Sequence, residues 1–113
     1  MNLKVLDDRF EISRVDEAPL GSDNWAVIHD HDGWTVVAPC ETGIWKAIQI
    51  DQEFGLDEIG VLLQLLQPLA EAKVPIMAYS SYRTDYLFVK MNQAQVAVEA
   101  LVQAGHKVVG NES

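Results

Sequence analysis

An α+β fold, with helices laid on one face of an antiparallel sheet, is predicted by three features of this 113-residue chain. Residues 44–109 alternate strand-like and helix-like patterns in the order strand, helix, strand, strand, helix, strand. The connections between those segments are short. Apolar residues make up 49% of the chain, enough for one core at this length but not for two full-size domains. A compact domain built from two half-size units is therefore expected. Its seam falls at the turn-forming Glu41-Thr42-Gly43, giving units 1–43 and 44–113.

Each element of the second unit has its own warrant. Residues 44–50 place Ile44, Lys46, Ile48 and Ile50 on one side and Trp45, Ala47 and Gln49 on the other, which is strand alternation. Residues 56–72 carry Leu56, Ile59, Leu62, Leu63, Leu66, Leu69 and Ala70 along one helical face. Asp57 and Glu58 stand in the first turn, where the helix dipole favours negative charge. Pro68 lies inside this pattern and would cost about 3 kcal/mol there, so a kink or an early end is expected. Residues 76–80 and 86–90 read as strands from their Tyr, Phe, Val and Ile content. Asn92 is the expected N-cap of a second helix, with Gln95 as its capping-box partner. Ala94, Ala97, Val98, Leu101 and Val102 form the apolar face, and Gly105 is the expected C-terminal cap. Residues 107–109 supply a last strand. This βαββαβ order is the ferredoxin-like plan.

The first unit offers strands at residues 3–6, 11–15, 25–29 and 34–37. The last two are joined by Asp30-His31-Asp32-Gly33, in which Asp-Gly signals a hairpin. A short helix fits only around residues 18–24.

Composition excludes several functions. Seventeen acidic residues against eight basic ones leave a net charge of −9, which opposes binding to a phosphate backbone or an anionic membrane surface. No apolar run approaches the roughly 20 residues of a membrane span. A single cysteine allows no internal disulfide, and the opening Met-Asn-Leu-Lys-Val lacks the apolar stretch of a signal peptide, so a cytoplasmic location is expected. Cys40 has no neighbouring base in sequence and reads as a buried structural thiol. Trp25, Trp34 and Trp45 read as packing residues. His29 and His31, flanked by Asp30 and Asp32, fall short of a closed metal site and better fit a polar hairpin end. His106 reads as a helix C-terminal dipole partner. No phosphate loop, nucleophile elbow, dinucleotide fingerprint or zinc-protease motif is present, so neither catalysis nor a cofactor is expected.

Phe54-Gly55-Leu56 leading into Ile59-Gly60-Val61-Leu62, then Pro68-Leu69-Ala70-Glu71-Ala72, Tyr79 through Tyr86 with Val89, and Ala100-Leu101 with Ala104-Gly105-His106 resemble the small bacterial proteins with tandem ACT domains. Leu3-Lys4-Val5-Leu6, Phe10 to Arg14 and Trp34 to Pro39 are similar to the degenerate first unit of that family. The resemblance is most specific over residues 54–89. It implies a non-catalytic regulatory module, related to those of aspartokinases, that binds an amino acid between paired units and forms a homodimer.

The same resemblance places Phe54, Gly55, Leu56, Glu58 and Gly60 along one wall of a ligand site, with Ser80, Ser81, Thr84 and Asp85 near the opposite wall. The chemistry is suitable, because a helix N-terminus offers donors to a carboxylate while Asp85 takes a cationic group and the hydroxyls orient it. A structural account also fits. Gly55 would be a strand-to-helix turn, Gly60 a packing contact, Asp57 and Glu58 dipole partners, and residues 80–85 a hairpin bonded to its own backbone, with Arg83 able to fill the site by pairing with Asp85. A ligand-free interaction module is the alternative function, and an enzyme pairing Asp85 with a histidine is a third, weaker one.

Overall fold

The computed structural model describes residues 1–21, 23–51, 60 and 62–110. Seven strands and two α-helices follow in the order β1 (Asn2–Val15), β2 (Ala26–Asp30), β3 (Gly33–Pro39), β4 (Trp45–Ile50), α1 (Leu63–Glu71), β5 (Met77–Ser80), β6 (Asp85–Lys90), α2 (Ala94–Gln103) and β7 (Lys107–Gly110). The chain divides into two compact units, one of Met1–Asp7 with Lys46–Ser113 and one of Asp8–Trp45. β1 serves both, so the two strands expected at 3–6 and 11–15 are a single strand of 14 residues.

The larger unit has the strand order β7-β1-β4-β6-β5. Its βαββαβ segment runs along the chain as expected, but β7 pairs in parallel with β1, Asn2 opposite Lys107 and Val5 opposite Gly110, and β1 lies between β7 and β4. β5 and β6 form the expected antiparallel pair, with Ser80 opposite Asp85. Strand alternation sends Leu3, Val5, Ile48, Ile50, Leu87 and Val89 to one face, where they pack on Leu65 and Leu69 of α1 and on Ala97 and Leu101 of α2. Ala47 and Phe88 point to the opposite face and are also fully buried, so both of these strands are covered on both faces at those positions.

Both helices depart from their predicted starts. Gly60 holds φ +79°, outside the helical region, so the single helix expected over residues 56–72 is not continuous there, and α1 begins at Leu63. Pro68 is accommodated inside α1. It has no N–H for the Gln64 carbonyl, and His106 Nε2 approaches that oxygen at 3.1 Å, so the ring donates where the proline cannot. Asn92 does not cap α2. It lies in a 3₁₀ turn, Met91–Gln93, and Gln95 bonds Glu99 at 3.3 Å instead of the helix start. Gly105 caps α2 as expected, at φ +99°, with Gly105 N–H to Val102 and His106 N–H to Leu101. α1 ends on the same double hydrogen bond, Lys73 N–H to Ala70 and Val74 N–H to Leu69, but here Lys73 takes the left-handed position at φ +61°.

The smaller unit is a three-stranded antiparallel sheet in the order β2-β3-β1, with Phe10 opposite Pro39 and Val15 opposite Trp34. Its hairpin turns at His31-Asp32, and Gly33 is already paired with Asp30. The short helix expected at residues 18–24 is absent among the described residues. Phe10 and Val37 are buried, and Trp25 meets the Phe10 ring edge-on at 6.1 Å. His29 stacks flat on its cross-strand partner Trp34, centroids 3.9 Å apart. Cys40 is half-buried rather than buried, its Sγ 3.4 Å from Thr42 Oγ1. Arg14 bonds Asp16 and the Asp32 carbonyl. The Asp16 hydrogen bond, followed by the Asp32 charge, raises the guanidinium pKa further above its ordinary value.

Candidate functional site

The corner between β5 and β6 is built by residues 81–84. The Ser81 N–H donates to the Thr84 carbonyl at 2.8 Å, and the Ser81 hydroxyl donates to the same carbonyl at 3.0 Å. That hydroxyl also accepts from the N–H groups of Arg83 and Thr84, each at 3.2 Å. A serine side chain thus replaces the backbone partners that a tight turn leaves orphaned. Thr84 Oγ1 donates to the Ile50 carbonyl at 2.9 Å and ties the corner to the end of β4. Ser80 and Asp85, opposite one another on the ladder, are joined by a short hydrogen bond from the hydroxyl to Oδ1.

A hollow of about 320 Å³ opens beside this turn, lined by Gln49, Ile50, Asp51, Ser81, Arg83, Thr84 and Tyr86. Ser81 and Thr84 are therefore brought together with a carboxylate, a guanidinium, an amide and a phenol. Ser80 and Asp85 do not line the hollow and bond each other. Gly60 is exposed, with nothing within 4 Å of the position a Cβ would take. Phe54, Gly55, Leu56 and Glu58 lie outside the described residues. Gln49, Asp51 and Tyr86 were not among the residues read from the sequence as site candidates, although strand alternation already put Gln49 on the side of β4 opposite Ile48 and Ile50. Asp51 directly follows the last strand residue and anchors its own N–H on the Asn2 carbonyl at 2.8 Å.

The hollow is lined by charges of both signs, the Asp51 carboxylate and the Arg83 guanidinium, together with the Gln49 amide and the Ser81 and Thr84 hydroxyls, a set of groups whose chemistry suits a small zwitterion. No group of three or more His, Cys, Asp or Glu residues converges among the described residues. His29 is engaged with Trp34, as its stacking shows.

Residues 42–103 match the ACT domain family, more than half of the chain, and the protein belongs to that family. ACT domains are regulatory, small-molecule-binding modules. Two solved structures share the fold. One is a protein from Agobacterium tumefaciens, 22% identical with a TM-score of 0.80, the match covering 99% of this chain and 94% of that one. The other is a Vibrio cholerae protein described as of unknown function and a possible transport protein, 21% identical with a TM-score of 0.78, covering 88% of this chain and 85% of that one. No helix among the described residues is long and apolar enough to cross a membrane.

Proposed function

We propose that this chain is a non-catalytic, cytoplasmic regulatory protein that binds an amino acid at the β5-β6 corner. The observation that carries the reading is the hollow at that corner, in which Asp51 and Arg83 stand beside the Ser81-Thr84 turn within the ACT-matched segment. The ligand ammonium meets Asp51, its carboxylate meets Arg83, and Asp85 adds negative potential across the turn. Occupancy ties β4 to the corner more firmly than the Thr84 hydrogen bond alone, so the ligand stabilises one arrangement of the corner over others. A second copy of the chain completes the assembly, because β5 ends the strand order and its outer edge has no partner strand among the described residues.

The test is a thermal-unfolding scan of the purified protein against the standard amino acids, with any hit followed by calorimetric titration. A ligand present at about 100 times its Kd adds about 2.7 kcal/mol to the folded state. A shift with one amino acid that disappears in Asp51→Asn and weakens in Asp85→Ala supports the sensor. The absence of any shift from a folded dimer sinks it and favours the interaction module. One observation favours that second reading: the Ser80, Ser81 and Thr84 hydroxyls all donate within the protein, while Met77 is exposed on the open edge strand.

A further inference from the structure

The helix-covered face of the larger unit holds another hollow, of about 580 Å³, between β1, β4 and the start of α2. Val5, Met91, Ala94 and Val98 give it an aliphatic wall, and Lys46 and Glu99 also line it. Lys46 is 5% exposed and is the one buried charged side chain among the described residues. Its Nζ donates to the Asp7 carbonyl at 3.0 Å. An ammonium carries three donors, and among the described residues no carboxylate comes within ion-pair distance of this one. A charge withdrawn from water with one neutral acceptor costs free energy that a partner of opposite sign would recover.

We infer that this hollow is a receptor for a small carboxylate with an aliphatic body. The carboxylate meets Lys46, and the body packs on Val5, Met91, Ala94 and Val98. The N-cap residue of α2, Gln93, makes no side-chain cap hydrogen bond at this helix end, which adjoins the hollow, and no acidic residue occupies the first turn, so the positive end of the helix adds to the attraction. Hollows of this size hold small organic ligands with most of their surface covered. Glu99 carries a negative charge on the same wall, which disfavours a second carboxylate and admits an α-ammonium. The shared chemistry therefore has two sources, a free aliphatic acid or an apolar amino acid. The site is separate from the corner: Lys46 and Ile50 are four residues apart along β4, about 13 Å.

The experiment is an amide-shift titration of the full chain with hexanoate, 1-hexanol, adipate and L-leucine. Hexanoate should give saturable shifts at Val5, Met91, Ala94 and Val98. Hexanol and adipate should bind at least tenfold more weakly, and Lys46→Met should weaken hexanoate at least tenfold. Leucine binding here more tightly than hexanoate assigns the amino-acid source, and weaker binding assigns the free acid. If Lys46→Met does not fold, Val98→Trp, which fills the hollow and keeps the lysine, should abolish the shifts. Asp85→Ala and Asp51→Asn should leave them unchanged, so a failure at the corner is distinguishable from a failure here. Hexanol binding as tightly as hexanoate, no saturation, or full affinity retained in Lys46→Met and Val98→Trp overturns the assignment.

Discussion

Replacing His106 with alanine should cost more in the natural sequence than in a chain whose Pro68 has become alanine. The reason lies in the Gln64 carbonyl. Pro68, four residues on, has no N–H to donate to it, and His106 Nε2 at 3.1 Å takes that role. A made hydrogen bond of this kind contributes about 0.5–1.5 kcal/mol net. The figure belongs near the middle of that range, because His106 Nδ1 is buried with no partner among the described residues and its desolvation offsets part of the gain. Pro68→Ala alone should stabilise the protein by up to about 3 kcal/mol. It also gives Gln64 a helical donor, so the cost of His106→Ala should fall by about 0.5–1 kcal/mol in that background. Urea denaturation of the four proteins in the cycle measures this. At a slope of about 1–3 kcal/mol/M, a coupling of 1 kcal/mol moves the midpoint difference by about 0.3–1 M. Equal cost of His106→Ala in both backgrounds would refute the claim that the histidine substitutes for the missing proline donor.

Two further substitutions test the backbone. Lys73 takes the left-handed position that Gly105 takes at the other helix, and a non-glycine residue there is strained by about 1–2 kcal/mol; after the extra chain entropy of glycine, Lys73→Gly should still stabilise the protein by about 0.5 kcal/mol and Gly105→Ala should destabilise it by about 1 kcal/mol, both measured by urea denaturation. Gly43 leaves no room for a side chain, since a Cβ there would lie 2.2 Å from the Phe10 carbonyl oxygen and 2.4 Å from its carbon. Gly43→Ala should therefore destabilise the smaller unit by about 1–3 kcal/mol, seen as faster exchange of the β1 and β3 amides, while the amides of α2 keep their protection.

The elements whose patterns were complete within themselves were legible. Alternation in β4 and the i, i+3, i+4 spacing in α2 each name the buried face, and Ile48, Ile50, Ala97 and Leu101 lie where those periods put them, while Ile44 and Val102, at the ends of their patterns, are exposed. Features set by distant partners were not. The parallel pairing of β7 with β1 joins residues over a hundred positions apart, and no local period encodes it. The run from residue 56 to 72 looked like one helix because periodicity registers side chains, whereas the break at Gly60 lies in φ. The Asn92 cap failed for a related reason: in the 3₁₀ turn the Ala94 N–H bonds the Met91 carbonyl, a backbone partner in place of an asparagine side chain.

The two candidate sites show where local reading stops. Ser81 and Thr84 were visible as a polar corner, and the turn they build is the structural role weighed for them from the start. The proposed site adds Asp51 and Arg83 beside that turn, and Asp51 arrives from the end of another strand. Lys46 was equally visible: it sits at the even positions of β4 with Ile48 and Ile50, and a lysine on an apolar face is an anomaly in the sequence itself. Its weight emerges only with Val5 and Val98, which close a hollow over it from a strand and a helix far apart in the chain. A charged residue breaking a core period is thus the sequence signal worth following first, because burial without a counter-charge is disfavoured unless another molecule supplies one.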